Sequence, residues 1–600
     1  MPYKNIDNYG VIGDLHTAAL VGIDGSIDWC CLPRFDSPSV FGAILDENKG
    51  GAFRIWSTAE GRTKQMYLPD TNVLVTRFLS TDGVGEVVDF MPWHDSAYGA
   101  QAIVRIVRCV RGSVPFCVDC APAFDYARQS HELEIDRTSA RFAAREATLV
   151  LRGTVPFGRR DNNNAHAKFV LHENETQTFV VELAGEGGHK TPPDIAAYAE
   201  QVFQETIDKW RKWSSRCSYT GRWREMVMRS ALTLKLLIYE PTGAIVAAPT
   251  CGLPEGIGGV RNWDYRYTWI RDAAFTIYGL LELNYFDEAG RFMEWLQNRT
   301  AEDQETGPLQ VMYRVDGSSD LKEFTLDHLD GFKGSKPVRI GNSASGQLQL
   351  DIYGELIDSI YLYNKHVEPI SYDFWNYLRK IGEWVCDNWK RPDNSIWEVR
   401  RTPEQYTYSK MQCWVALDRL MRIAMKRNLP TDLERLRKES QKIFETVMQK
   451  GWNGESFVRV LEGDSIEATS LLFPLMKFVS PSDARMTATL ERILKELVSD
   501  SLVYRYRTHG SATDGLPGAE GTFSACTFWL VEVLSRIGRL HDARLIFEKM
   551  LSYSNHLGLY AEEVGPTGEA LGNFPQAFTH LGLISAALDL EKNLNLHRHP

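Results

Sequence analysis

The chain contains 600 residues, 44% of them hydrophobic, and carries a formal net charge of −11. This length suffices for two or more domains with large cores. The negative charge and the dispersed Lys and Arg residues argue against nucleic acid as a partner. No run of about 18 apolar residues predicts a membrane span, and the amino terminus lacks a basic segment followed by an apolar core. We therefore expect a soluble cytoplasmic protein without membrane contact.

Ten cysteines and fourteen histidines are scattered along the chain. The cysteines do not have the even spacing of a disulfide framework, and a chain of this size does not need one. Cys117 and Cys120 form a single C-x-x-C without a second pair, and the histidines show no spacing typical of a metal site. We expect reduced thiols, no metal and no cofactor.

Residues 1–190 have the pattern of a β-sandwich domain. Asp24-Gly25 lies between two apolar runs and predicts a hairpin. Many short strands without a long helix are typical of a sandwich. A helical pattern then follows, which predicts a linker over 191–222. The predicted strands are 19–23, 27–32, 73–79, 85–90, 103–111, 149–153 and 178–183.

The remaining residues, 223–600, are predicted to be helical. Short and long links alternate between the predicted helices, and short links make antiparallel neighbours. Six such pairs closed in a ring give an (α/α)6 barrel, in which all long links emerge at one end and can form a pocket. The twelve predicted helices are 223–239, 271–284, 286–301, 345–364, 372–391, 404–428, 430–449, 466–474, 481–499, 520–537, 539–554 and 575–592.

The segment 261–272, RNWDYRYTWIRD, concentrates charges and aromatic rings in the first long link. Aromatic faces can stack on sugars, and Arg and Asp can hold sugar hydroxyls through charge-assisted hydrogen bonds. An internal network that braces the link is the alternative at this point. The tryptophans could likewise be barrel core. The candidate ligands are Trp263, Asp264, Trp269, Arg271 and Asp272.

Three further long links carry candidate residues at the same predicted end. They contribute Trp397 with Glu398, Arg505, and Glu562 with its neighbour Glu563. Two carboxylates on converging loops suit glycosidic cleavage, in which one acid protonates the leaving oxygen and the other activates water or attacks directly. Glu255 and Glu520 lie in the same links, and the pattern does not decide whether they contact a substrate.

The motifs GGVRNWDYRYTWIRDA, VRIGNSASGQLQLDIYGE, IWEVR, GLPGAEGTFSACTFW and GLYAEEVGPTGEALGNFPQAFTH occur in this order. On the basis of these motifs, the chain resembles glycoside hydrolase family 15, the bacterial glucoamylase and trehalase type. The resemblance implies an N-terminal β-supersandwich joined to an (α/α)6 barrel that hydrolyses α-glucosides with inversion. It also implies Glu398 as the general acid, Glu562 as the base, Arg271-Asp272 as the pair that holds the glucose, and Arg505 as a further sugar ligand.

The expected function is an inverting, exo-acting hydrolase that releases β-glucose from a small carbohydrate. An α,α-trehalase is favoured, because no signal peptide is predicted and trehalose is a small substrate found inside cells. A glucoamylase-like α-glucosidase acting on malto- or isomalto-oligosaccharides is the alternative. A disaccharide phosphorylase is an alternative of another class, but phosphate needs no catalytic base and the Glu562 motif argues against it. A non-catalytic sugar-binding protein would not need two opposed carboxylates.

Overall fold

The computed structural model describes residues 3–93, 101–161, 163–185, 191–302, 309–507 and 514–596. An amino-terminal β-rich part precedes a helical part. Among the described residues, no helix combines the length and the apolar character that crossing a bilayer requires.

The fifteen strands of the β-rich part form one connected system of sheets, in which paired strands run antiparallel. The predicted hairpin at Asp24-Gly25 is confirmed as the turn between the second and third strands, where Gly25 has a φ of +82°. The fifteen strands are β1 (Tyr9–Gly13), β2 (Ala18–Gly22), β3 (Ser26–Cys31), β4 (Ser39–Phe41), β5 (Ala52–Ser57), β6 (Gly61–Tyr67), β7 (Leu74–Ser80), β8 (Gly83–Phe90), β9 (Ala102–Ala121), β10 (Glu132–Asp136), β11 (Ser139–Ala143), β12 (Thr148–Gly153), β13 (Gly158–Arg160), β14 (Asn164–His172) and β15 (Thr176–Leu183).

Strand β9 joins two sheets and is about twice as long as its predicted counterpart. Its first half pairs with β8 and β15, and its second half pairs with β5 and β14. Gly112 lies at the change of partners with a φ of +71°, and a Cβ atom there would lie 2.1 Å from the carbonyl oxygen of Asp82. A residue with a side chain is strained in both respects, so glycine permits the strand to continue where a break is predicted.

The predicted linker forms a helix, α2 (Ile195–Ser214), after the one-turn segment α1 (Phe124–Ala127). In α2, the ring of Phe203 packs on Phe90 with the ring centroids 5.6 Å apart, and Trp210 packs on Trp93 with centroids 4.9 Å apart. At its carboxyl end Trp213 stacks on Tyr285 of the helical part at 4.0 Å. The helix therefore contacts both parts of the chain.

Twelve further α-helices lie in the described residues after Trp223, and each corresponds to a predicted helix. They are α3 (Arg224–Leu236), α4 (Ala273–Glu282), α5 (Phe286–Glu302), α6 (Asp351–His366), α7 (Tyr372–Asn388), α8 (Thr407–Arg427), α9 (Leu433–Lys450), α10 (Leu472–Leu475), α11 (Ala484–Glu496), α12 (Ser524–Arg536), α13 (Leu540–Leu551) and α14 (Ala577–Leu596).

The even-numbered helices pack against one another. Helix α4 contacts α6 and α14, α6 contacts α8, and α12 contacts α10 and α14. The odd-numbered helices pack outside them, for example α3 on α14, α9 on α8 and α13 on α12. Links that lead from an odd-numbered to an even-numbered helix are long, and those that lead onward are short, as the sequence predicts.

The long links contain short strands of their own. They are β16 (Ile238–Tyr239), β17 (Ala244–Ile245), β18 (Cys251–Pro254), β19 (Asn262–Asp264), β20 (Thr268–Trp269), β21 (Met312–Tyr313), β22 (Phe324–Thr325), β23 (Arg339–Ile340), β24 (Val498–Ser499), β25 (Leu502–Val503), β26 (Thr522–Phe523), β27 (Glu563–Val564) and β28 (Ala570–Leu571).

The β-rich part supports the first long link of the helical part. The indole of Trp29 on β3 donates to the carbonyl of Pro249 at 2.7 Å. Arg266 of the long link donates to the carbonyl of Ser37 in the β-rich part at 2.8 Å, and its guanidinium lies 5.9 Å from the ring centroid of Trp29. These buried contacts fix the segment 261–272 against a sheet.

Candidate active site

One cavity gathers side chains from the long links between α3 and α4, α7 and α8, α11 and α12, and α13 and α14. These links were predicted to share one end of the helical part. The cavity combines carboxylates, guanidinium groups and aromatic rings, which is the chemistry expected of a sugar site. Its lining consists of Glu255, Arg261, Trp263, Tyr265, Arg271, Ile396, Trp397, Glu398, Arg400, Arg505, Tyr506, Asp514, Leu516, Phe523, Glu562, Gln576 and Phe578.

A second, larger cavity opens between helices, and its lining includes Asp358, Arg419, Arg536 and Asp589. Its arginines are paired with carboxylates, since Arg419 contacts Asp358 and Arg536 contacts Asp589 at 3.0 Å. None of the predicted catalytic or sugar-binding residues belongs to its lining. The cavity at the long links is therefore the candidate active site.

Glu398 sits in a tight turn that directs its side chain into this cavity. Its φ is +57°, and its backbone N–H donates to the carbonyl of Ser395 at 3.1 Å. Such a backbone conformation is uncommon for a residue with a side chain and is often found at functional sites. The carboxylate accepts a hydrogen bond from the indole of Trp269 at 2.6 Å and a longer one from Arg271 at 3.4 Å.

Glu562 is the second predicted acid of the cavity and is almost fully buried, with 1% of its surface exposed. Its Oε1 accepts a hydrogen bond from the hydroxyl of Tyr265 at 2.7 Å. Its Oε2 has no hydrogen-bond partner among the described residues. Burial, followed by the nearby charge of Glu255, raises the pKa of Glu562 to about 8. Oε2 is enclosed by the surrounding residues and keeps its capacity as a hydrogen-bond acceptor.

Two aromatic side chains connect the two carboxylates. Tyr265 donates to Glu562, Trp269 donates to Glu398, and the rings of Tyr265 and Trp269 meet edge to face with centroids 5.3 Å apart. Both rings are on the segment 261–272. This rigid pair fixes the separation of two acidic groups that approach from different links.

Arg271 and Asp272 form an ion pair at the start of α4. The Nε of Arg271 donates to Asp272 at 2.9 Å, and its Nη1 donates to the carbonyl of Ile396 at 3.1 Å. The guanidinium also lies 5.7 Å from the ring centroid of Phe578. Arg271 lines the cavity, and Asp272 holds it in place from behind.

Arg505 lies among three buried carboxylates next to Glu562. Its Nη2 is 3.1 Å from Glu255, 2.6 Å from Glu520 and 3.3 Å from Glu563. The carboxylate oxygens come within 4.8 Å of one another, close enough to hold a cation. The guanidinium already supplies the positive charge at this point, so we assign the cluster to Arg505 and not to a metal ion.

Arg261 adds a second positive charge, contacting Asp514 at 2.7 Å and Glu520 at 3.4 Å. Two arginines are fewer than the neighbouring acids, which favours the protonated form of the most deeply buried carboxyls. Burial and the charge of Glu255 raise the pKa of Glu563 well above its ordinary value. One oxygen of Glu563 accepts from the backbone N–H of Gly521 at 2.8 Å, and the side chain faces Arg505.

The structure brings six of the nine predicted site residues into the cavity lining: Trp263, Arg271, Trp397, Glu398, Arg505 and Glu562. The other three, Asp264, Trp269 and Asp272, lie behind it. Asp264 is fully buried, pairs with Arg266 at 2.6 Å and accepts from the backbone N–H of Gly341 at 3.1 Å. The bracing alternative therefore describes Asp264, whereas Trp269 and Asp272 hold residues of the lining.

Sequence reasoning did not select Tyr265, Arg261, Arg400 or Phe578, which also line the cavity. Tyr265 and Arg261 belong to the segment 261–272 and could have been found there by its composition. Arg400 is two residues after Glu398, within the quoted motif IWEVR. Phe578 lies at the start of α14, where an apolar helix pattern hides its role.

Two family models match the chain. Residues 221–588 match the model of glycosyl hydrolases family 15. Residues 3–209 match the model of a trehalase-like N-terminal domain. Together they span the β-rich part, most of helix α2 and nearly all of the helical part.

Relatives and a solved structure match over nearly the full length. A trehalase of Thermoplasma volcanium is 39% identical over 99% of this chain and 94% of its own. A trehalase of Mycolicibacterium smegmatis is 39% identical, with coverage of 98% and 91%. The crystal structure of a bacterial glucoamylase complexed with acarbose has the same fold, with a TM-score of 0.74 at 12% identity and coverage of 98% and 95%. The chain thus belongs to family 15 of the glycosyl hydrolases.

Proposed function

We propose that this glycoside hydrolase is an α,α-trehalase that inverts the anomeric carbon and releases β-glucose. The observation that carries the proposal is the pair Glu398 and Glu562, which line one cavity and are held by Trp269 and Tyr265. The relatives named trehalase, which match nearly the whole chain, support this substrate over malto- or isomalto-oligosaccharides.

In the proposed mechanism, Glu398 is the general acid and protonates the glycosidic oxygen. Glu562 is the base and takes a proton from the attacking water through its unpaired Oε2. Inversion requires the carboxyls to be roughly 6.5–9.5 Å apart, which leaves room for that water. Phosphorolysis needs no base, so the buried Glu562 with a free oxygen supports hydrolysis.

We assign the non-reducing glucose to the buried end of the cavity. Arg271, oriented by Asp272, donates hydrogen bonds to its hydroxyls, and Trp397 offers an apolar face. Arg505 stabilises negative charge near Glu562, while Asp264 and Trp269 act through the residues they hold. A pocket that encloses one glucose enforces removal of single units from a chain end.

We also propose the finer architecture. The mutual contacts of the even-numbered helices, with the odd-numbered ones outside, support an (α/α)6 barrel. The two sheets that share β9 support a β-supersandwich. We take 1–190 as the β domain, 191–222 as the linker and 223–600 as the catalytic domain.

The test is a substrate panel of trehalose, maltose, isomaltose and soluble starch, assayed for glucose with and without phosphate. Trehalose should be the best substrate, without a requirement for phosphate as a co-substrate. Before mutarotation, proton NMR should show equal amounts of β-glucose, from the inverted carbon, and α-glucose, from the leaving half. Preference for maltose or starch would support the glucoamylase-like alternative. Glucose 1-phosphate as a product would establish the phosphorylase alternative, and initial α-glucose without β-glucose would exclude inversion.

A further inference from the structure

Trp263 in the cavity wall is covered by two arginines that share one carboxylate. The guanidinium carbon of Arg400 lies 4.0 Å from the ring centroid, and that of Arg339 lies 4.6 Å away. Glu323 contacts Arg400 at 2.9 Å and Arg339 at 3.4 Å. On its other side, the indole N–H of Trp263 donates to Glu255 at 3.0 Å. Each group in this arrangement is therefore fixed by at least one neighbour.

Arg400 retains hydrogen-bonding capacity toward the cavity. A guanidinium has five N–H donors, and Arg400 uses two nitrogens, Nη1 and Nη2, on Glu323. Its side chain is 23% exposed and lines the same cavity as Glu398. Arg339 and Glu323 are outside this lining, so Arg400 is the one of the two arginines on Trp263 that faces the cavity.

The position of Arg400 relates it to the leaving group. It follows Glu398 by two residues, and the general acid must lie beside the glycosidic oxygen that departs. Arg271, which is assigned to the transferred glucose, has a side chain only 14% exposed. Because Arg400 is more exposed than Arg271, it lies nearer the opening, where the leaving sugar of an exo-acting enzyme is bound.

We propose that Arg400, held over Trp263 by Glu323, binds hydroxyl groups of the leaving glucose and thereby determines the preference for a disaccharide. The proposal rests on the hydrolase function given above. Charge-assisted hydrogen bonds from a preoriented guanidinium discriminate strongly between a sugar and a leaving group without hydroxyls. Arg400 thus acts on the leaving half of the substrate, and Arg271 acts on the transferred half.

The experiment compares trehalose with α-glucosyl fluoride in the wild type and in Arg400→Ala. The fluoride carries the same transferred glucose but has no leaving sugar. Loss of one or two charge-assisted hydrogen bonds should lower kcat/KM for trehalose roughly tenfold to a hundredfold, mainly through KM. The value for the fluoride should stay within about threefold, because no contact of Arg400 is lost with it.

Glu323→Gln provides an independent variant, and Arg401→Ala provides the matched control. Glu323→Gln should weaken trehalose hydrolysis in the same direction, and adding it to Arg400→Ala should cause little further loss, because both changes act on one contact. Arg401 pairs with Glu404, so its removal should leave both substrates unaffected. Thermal melts identify any variant that fails to fold.

An equal loss on both substrates, or no loss on trehalose, would overturn the assignment of Arg400 to the leaving glucose. A wild-type enzyme that hydrolyses the fluoride but not trehalose would instead refute the trehalase function. In that case the ratio of maltose to fluoride hydrolysis decides the role of Arg400 by the same criterion.

Discussion

The hydroxyl of Tyr265 donates a hydrogen bond of 2.7 Å to Glu562, whose other carboxylate oxygen has no partner among the described residues. This contact favours the ionised form of Glu562, whose pKa burial raises to about 8 even with the contact in place. The base of the proposed reaction must be ionised before it can accept a proton from water. The activity of the enzyme should therefore depend on this single hydroxyl.

Tyr265→Phe removes the hydroxyl and keeps the ring that packs on Trp269. Since the hydrogen bond from Tyr265 lowers the pKa of Glu562, its loss should raise that pKa and leave less of the base ionised. We expect the acidic limb of the kcat/KM profile to move upward by roughly one pH unit, or ~1.4 kcal/mol. The profile should be measured from pH 4 to about 9.5, the range in which such a carboxyl titrates.

Tyr504→Phe is the control for this change. Tyr504 is packed against Arg507 at 4.3 Å and is not part of the cavity lining. Its variant should keep the wild-type profile. An acidic limb that stays in place in Tyr265→Phe would show that another group controls ionisation of the base.

Arg505 should contribute to stability in a pH-dependent way. Its charge lowers the pKa values of Glu520, Glu562 and Glu563, which burial raises. In Arg505→Met those values rise further. An acid whose pKa is raised in the folded state destabilises that state as the pH rises above the unfolded value, since the unfolded chain then releases protons more readily.

We therefore expect Arg505→Met to lose ~3–5 kcal/mol of stability, the usual effect of breaking a buried ion pair, with a larger loss at pH 8 than at pH 5. Thermal melts at both pH values measure this difference. Arg507→Met, in which an exposed arginine is changed, should melt close to the wild type at both. Equal destabilisation of Arg505→Met at the two pH values would contradict the charge argument.

Asp272→Asn tests the role of the ion pair with Arg271. Asparagine can still accept a hydrogen bond, but it removes the charge that orients Arg271 at 2.9 Å. We expect kcat/KM for trehalose to fall roughly tenfold to a hundredfold, since a charge-assisted hydrogen bond is weakened. The inhibition constant of glucose should rise in parallel, because the product occupies the same site.

Asp287→Asn is a suitable control, since Asp287 on α5 forms an exposed ion pair with Arg216. Circular dichroism should show that both variants keep their helix content. Normal kcat/KM in Asp272→Asn would mean that the pair only braces the start of α4.

Periodicity and link length predicted the helical part, because outer helices such as α9 and α11 are amphipathic and the links alternate in length. The β-rich part was harder. Strand β9 crosses Gly112 and Pro115, both of which signal a break, and continues because its partners change there. The short edge strand β13 is exposed throughout and has no apolar residue that a sequence pattern could detect. Strand β10, ELEID, does alternate polar and apolar residues, but it is only five residues long.

The acids of the site were predictable, but the partners that hold them were not. Glu398 and Glu562 stand in distinctive motifs on predicted long links. The contacts from Trp269 to Glu398 and from Tyr265 to Glu562 span 129 and 297 residues of sequence. Such pairing depends on how the links fold over one another, which neither composition nor spacing encodes. Asp264 illustrates the limit, since its motif is the same whether it faces sugar or Arg266.

The roles of acid and base should separate by their response to the leaving group. Glu398→Gln cannot protonate the glycosidic oxygen, so trehalose should react at least ~10²-fold more slowly, whereas α-glucosyl fluoride needs no proton and should be partly spared. Glu562→Gln fails to activate water and should be equally poor on both substrates. Steady-state kinetics with the two substrates give the comparison directly.

Glu563→Gln is the matched control, because it changes the adjacent residue of the same type. Its carboxyl faces Arg505 and Gly521, and burial raises its pKa well above the ordinary value, which favours the protonated form. The amide is a close substitute for a protonated carboxyl, so hydrolysis of both substrates should be only mildly affected. If Glu563→Gln were inactive and Glu562→Gln nearly normal, the base would be Glu563, and the attacking water would have to lie on the Arg505 side of the cavity.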